Sequence, residues 1–284
     1  MGGTVPGLPI VDVLVTALGR VARSWLRLLA IYWLPWLLGT LGLVVLGAVV
    51  EDYLRMGQPP GWARNLVWAP FAVMAYVMLL RFMIDGQPPA RIANIAIGKE
   101  TWIAAPIVAA WFISEETIEA APVQMVTWML APADALAYEI DDLVGYVIAF
   151  QFAARLLDAA LVACCFGLIL VIVRSGGPDL SRLWRLLRLY PVRLIYVSFL
   201  AVIAARWLWD LGSLPLAWLA LDHLSPQGMI PWRANIHRAF LGEILYFPVH
   251  FLEFAIKGCI MAEAYRRLLM ADRGAAQPAF DART

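Results

Sequence analysis

The most constraining feature of this chain is the uncharged run at residues 28–50, LLAIYWLPWLLGTLGLVVLGAVV. A hydrocarbon core about 30 Å thick takes roughly 20 apolar residues at 1.5 Å per residue. In lipid the backbone must satisfy its own polar groups, so such a run is a helix. Comparable runs stand at 65–84, 144–173, 194–221 and 240–261, and a shorter one at 101–114. Composition agrees: 62% of the residues are hydrophobic and 15% charged, against about 45–50% and about 25% in soluble proteins. This excludes a soluble globular domain and a disordered chain, and a net charge of +1 excludes a basic nucleic-acid binder. The expectation is an all-α polytopic membrane protein, a single integral membrane domain over 1–284 with about six transmembrane helices.

Charge placement orients these spans, because short loops rich in Lys and Arg stay in the cytoplasm. Arg20, Arg23 and Arg27 precede the first span, Arg174, Arg182, Arg185, Arg188 and Arg193 lie between the fourth and fifth, and Arg266, Arg267 and Arg273 follow the sixth. Residues 100–154 contain no Lys or Arg but hold acids from Glu100 through Glu115, Glu116 and Glu119 to Asp142. That acidic stretch belongs outside. Both termini then lie inside, and the short run at 101–114 must cross for the basic and acidic loops to alternate.

Two segments read as helices lying at the bilayer surface. At 8–24, Ile10, Val13, Leu14, Leu18 and Val21 recur at helical spacing opposite Arg20 and Arg23. At 180–190, LSRLWRLLRLY sets Arg182, Arg185 and Arg188 among Leu and Trp, which suits anionic lipid headgroups at roughly 1 kcal/mol per basic residue. Membrane lipids are thus one expected partner. No leader peptide is expected, since no early basic region precedes an apolar run and a small-residue cleavage site.

Chemical motifs are sparse. DGQPPAR at 85–91 approaches the CDP-alcohol phosphotransferase pattern through Asp85, Gly86, Ala90 and Arg91. The spacing is one residue too long and the following metal-holding aspartates are missing, so a turn is expected there. No zinc-protease, nucleophile-elbow, phosphate-loop or dinucleotide motif occurs, and no cofactor is implied. Cys164, Cys165 and Cys259 fit no zinc spacing and read as small apolar core residues, while His223 and His237 read as solvated loop histidines.

The last three spans carry ionisable groups, each costing about 2.5–3.5 kcal/mol at a helix centre. They stand at pairing distances along a helix: Arg155 with Asp158, Arg206 with Asp210, and Glu253 with Lys257. Glu243, His250, Glu253 and Lys257 fall within an arc of about 80 degrees at 100 degrees per residue. This stripe faces protein or water. It reads either as a network that fixes helix register or as a proton-sensitive, ion-coupled site.

Of 13 Trp, those at 33, 36, 62, 68, 102, 218 and 232 lie near span ends, where indoles favour the headgroup boundary. Trp207 and Trp209 bracket Arg206 and Asp210, and an indole face over that guanidinium is expected, as packing rather than as a quinone or pigment pocket.

The basic amphipathic N-terminal helix, RFMIDGQPPARIANIAIGKETW at 81–102, RLWRLLRLYPVRL at 182–194 and AEAYRRLL at 262–269 together resemble the six-span bacterial integral membrane proteins of the YciC-like and glycerophosphodiester-phosphodiesterase membrane-domain families. The resemblance implies a membrane domain without the soluble catalytic domain, and no catalytic residue carries over. It places the chain in the bacterial inner membrane. The function expected first is a non-enzymatic accessory, assembly or scaffold subunit with a protein partner in the bilayer. A small ion-coupled transporter using the charged stripe comes second, and a lipid-active enzyme third.

Overall fold

A computed structural model describes residues 8–50, 61–86, 98–130, 140–223 and 232–276. All regular structure among them is helical: α1 (Ile10–Val49), α2 (Gly61–Asp85), α3 (Lys99–Leu130), α4 (Ile140–Ser175), the short α5 (Leu180–Leu187), α6 (Pro191–His223) and α7 (Trp232–Ala276). Within α1, α2, α4, α6 and α7 lie five segments long and apolar enough to cross a membrane. The protein is a multi-pass α-helical membrane protein.

The six long helices form a ring in which chain neighbours pack together and α7 closes against α1. Their directions follow from paired residues. Along α1 and α7, Asp12 meets Arg267, Arg20 meets Glu263, and Tyr32 stacks on Phe254, so these helices are antiparallel. Helices α2 and α3 are antiparallel as well, with Arg81 near Glu100 and Tyr76 near Trp111. Helices α2 and α4 run parallel, since Asp85 meets Arg174 and Tyr76 meets Phe166. It follows that α3 leads from the end marked by these ion pairs to the opposite end.

Apolar side chains gain little by leaving lipid for one another, so close packing holds such a ring together, and small residues permit it. Gly258 lets the Leu79 side chain lie directly against α7, and Gly39 receives the Trp68 ring. A Cβ at Gly212 would stand 2.7 Å from Val249 Cγ2, closer than real Cβ contacts come.

Several boundaries differ from the sequence expectation. The third helix does not stop at residue 114 but runs for 32 residues, about 48 Å at 1.5 Å each. Its apolar run ends at Glu115 and Glu116, so hydropathy alone understates it. Helix α7 likewise continues past 261 to Ala276, because Glu263 is buried among arginines that keep the helix inside the fold.

The N-terminal surface helix has a physical boundary at Ser24, whose backbone (φ −120, ψ 17) breaks α1. Before the break Val13 and Ala17 are buried while Val11 and Val15 face outward, leaving apolar surface for lipid. Arg20 does not lie opposite that packed face as expected. It reaches Glu263 at 3.1 Å and donates to the Met83 carbonyl, because a buried carboxylate offers more than the surface does. In α5 the Asp179 carboxylate caps the first turn by accepting from the Arg182 N–H, and Leu183 and Leu186 are buried while Arg185 and Arg188 are exposed.

Of the DGQPPAR segment, Asp85 ends α2 and Gly86 follows it. Gly86 sits at φ 67, where a Cβ is strained, and Asp85 accepts from Arg174 at 2.7 Å. Residues 87–91 lie outside the described residues.

Candidate functional site

The site is built on α7, which carries His250, Glu253 and Lys257 on one face, as helical spacing predicts. The Lys257 Nζ stands 3.8 Å from Glu253 Oε1 one turn away. It also donates to Glu115 Oε1 of α3 at 3.4 Å and lies 5.0 Å from the centre of the Trp111 ring. Lys257 is only 4% exposed. Two carboxylates and an indole face surround the ammonium there and replace the water it has lost. Along α7 this group is about 9 Å from Glu263, and His250 about 20 Å, so the site lies at membrane depth.

Two chambers meet at these residues. The first, about 360 Å³, has aromatic walls that include Tyr32, Trp36, Trp68, Phe112 and Phe254, and Arg64 and Asn65 from the first turns of α2 at its rim. The second, about 280 Å³, is lined by Arg155, Asp158, Arg206 and Trp209. Glu115, His250, Glu253 and Lys257 line both. They form a polar partition between an aromatic space and a charged one.

Six of the eight predicted intramembrane groups thus converge on the second chamber: Arg155, Asp158, Arg206, His250, Glu253 and Lys257. Asp210 joins through its 3.1 Å ion pair with Arg206. The side chain of Glu243 lies outside those described, as do those of His223 and His237. Among the described contacts, neither Trp207 nor Trp209 stands over Arg206, which pairs with Asp210. Trp207 is 67% exposed, and Trp209 stacks on Tyr246 and meets His250 at a tilt, because its side of α6 packs on α7. Among the described residues, Lys257 stands over the Trp111 indole.

Trp36 does not face outward but is buried edge-on to Phe247 of α7. Its indole N–H finds no acceptor among the described residues and borders the first chamber. Cys165 and Cys259 are core residues as expected, whereas Cys164 is exposed on the outer face of α4, where a small apolar group suits lipid.

Glu115 and Arg64 are site residues that loop charge counting misses. Glu115 was grouped with the outer acidic stretch, yet it continues the buried series Ala104, Val108 and Trp111 at helical spacing, which is the signal that reveals it. Also missed is a second charged cluster, at the other end of α7. Glu263, fully buried, is held by Arg266 at 2.7 Å, Arg267 at 2.8 Å and Arg20 at 3.1 Å, and Arg267 continues to Asp12 at 2.6 Å. The start of α1 and the end of α7 are tied there, away from the chambers.

Among the described residues no three His, Cys, Asp or Glu side chains form a group able to hold a metal ion. No family model, curated protein or solved structure matches the chain.

Proposed function

We propose that the protein is a small ion-coupled transporter of the bacterial inner membrane, with six crossings and both termini in the cytoplasm. One observation carries this reading: two chambers at membrane depth share a partition of four ionisable side chains, Glu115, His250, Glu253 and Lys257. A network serving register alone needs paired charges but no space beside them. Here each chamber is large enough for a small solute or several waters, and ionisable residues lining an intramembrane cavity are the usual mark of an ion or substrate path. The chambers favour this reading over an accessory or scaffold subunit, and Asp85, which serves an ion pair with Arg174, gives a lipid-active enzyme no support.

Chemically, two carboxylates compete for one ammonium at the partition, so a proton or a cation can exchange there against small changes in side-chain position. The topology is supported by the ion pairs gathering the start of α1, the end of α2, the start of α3, the end of α4 and the end of α7 at one pole, where the basic loops also lie. The arginines of α5 stand beside that pole, placed for anionic headgroups.

The test is reconstitution into liposomes with a pH-sensitive dye inside. Wild-type protein is expected to give solute- or gradient-driven proton movement, and Glu253→Gln to reduce it at least tenfold while the protein still inserts and elutes as a single species. Equal flux from both proteins, or none above empty liposomes together with a stoichiometric co-purifying subunit, would return the choice to the accessory reading.

A further inference from the structure

We propose that the part of α1 before Ser24 is a strap that closes the transport path at the basic pole, and that its release from Glu263 opens Lys257 to that side. The inference rests on the transport reading above and assigns one of its gates. Three observations carry it. The chambers lie on one side of Lys257: Arg64 and Asn65 stand about 30 Å along α2 from Asp85, and Arg206 about 12 Å along α6 from Ser198, which meets Met261 of α7. Arg64 is exposed and Arg206 partly so, and the space therefore leads away from the basic pole. On the other side α7 is enclosed, since every residue from Lys257 through Tyr265 is buried. Leu79 lies directly against Gly258, the Ser198 hydroxyl donates to Met261 Sδ at 3.4 Å, and the Tyr265 hydroxyl donates to the Ala163 carbonyl. Close packing on all faces closes this stretch to ions.

The third observation is how the strap is fastened. Arg20 reaches Glu263 of α7 at 3.1 Å and donates to the Met83 carbonyl of α2 at 3.3 Å, so one side chain spans two helices of the closed stretch. Arg267 adds Asp12 at 2.6 Å and donates to Thr16 at 3.4 Å. These arginines are partly exposed and can turn to water or headgroups instead. The helix is already interrupted at Ser24, so the segment before it can swing without unwinding the rest of α1. Its outward residues Val11, Val15 and Leu18 suit lipid in either position, and the burial of Val13 and Ala17 opposes release. With Arg20 withdrawn, α7 loses this tie to α2 beside their close contact at Gly258 and Leu79. Alternating access needs such a barrier on one side of the site while the other is open.

Cys259 is a reporter that the chain already carries, fully buried two residues beyond Lys257 and one turn before Glu263 on the same face. With Cys164 and Cys165 changed to Ala, a charged methanethiosulfonate reagent is applied to membrane vesicles of either orientation. Cys259 is expected to react slowly from both sides in this background, and Arg20→Gln to raise its rate at least tenfold from the basic side alone. A second variant guards against misfolding of Arg20→Gln. Asp12→Cys with Arg267→Cys, on a background with all three native cysteines changed to Ala, is joined by a bismaleimide that holds a disulfide in its linker. Joining is expected to lower proton flux in liposomes at least tenfold, and reduction of the linker to restore it.

Equal Cys259 labelling with and without Arg20→Gln in folded protein, or flux above that of empty liposomes that is the same before and after the linker is cut, overturns the inference. If release of the strap uncovers Cys259 but no preparation, wild type included, moves protons, the transport reading fails alone. If wild type moves protons and fastening the strap leaves that movement unchanged, this inference fails alone.

Discussion

Glu263 shows how much one side chain can organise. Its carboxylate is fully buried and accepts from Arg266 and Arg267 of its own helix while pairing with Arg20 of α1. Three guanidinium groups around one acid leave an excess of positive charge, which Asp12 offsets through Arg267. Removing the buried member leaves three arginines facing one another, and breaking buried pairs of this kind costs about 3–5 kcal/mol. Because the arginines are each 20–28% exposed and can turn toward headgroups, the lower end of that range applies. Glu263→Ala is therefore expected to destabilise the protein by about 3 kcal/mol, and Glu263→Asp by less, in reversible unfolding monitored by circular dichroism. A thermal midpoint for Glu263→Ala equal to that of wild type would show that the cluster does not tie α1 to α7. The same residue marks a limit of sequence reading. Within AEAYRRLL it sits in what reads as a basic tail after the last span, and only the packing of α1 beside α7 brings Arg20 to it.

At the level of elements, local periodicity was sufficient wherever one helix settles its own face. The spacing of His250, Glu253 and Lys257 on α7 was readable and their side chains do line one pair of chambers. So was the amphipathic character of α5, whose Leu183 and Leu186 are buried beneath exposed Arg185 and Arg188. Hydropathy and charge counting fail where a partner helix decides. Glu115 lies where an apolar run ends, and hydropathy reads that as the end of a span; its ion pair with Lys257 comes from the contact between α3 and α7, which no local pattern encodes. Trp36 has the sequence position of an interfacial indole, yet Phe247 of α7 draws it into the ring. For α5 the expected outcome follows from electrostatics. Replacing Arg182, Arg185 and Arg188 together by Gln removes on the order of 3 kcal/mol of attraction to an anionic surface at roughly 1 kcal/mol each. In native mass spectrometry of protein extracted with its lipids, the variant is expected to retain fewer phosphatidylglycerol adducts than wild type while keeping zwitterionic ones. Equal retention would mean that these arginines only orient the chain.

For the whole molecule, the decisive question is the path of α3, because every later helix inherits its direction from it. Antiparallel pairing with α2 and the parallel run of α2 and α4 require α3 and α4 together to go out and return, and ion pairs fix the start of one and the end of the other at the same pole. An apolar segment of only 101–114 is too short to cross roughly 30 Å of hydrocarbon. The observed helix meets that length by continuing through Glu115, whose carboxylate pairs with Lys257. A membrane-impermeant maleimide applied to intact cells tests this directly, on a background with Cys164, Cys165 and Cys259 changed to Ala. Ala135→Cys, between α3 and α4, is expected to be labelled from outside, and Gly177→Cys, between α4 and α5, only after the membrane is opened. Labelling of both from the same side would place α3 along the surface instead of across it. The chambers would then open to water along α3, and the partition at Lys257 would lose the low-dielectric setting on which ion coupling depends.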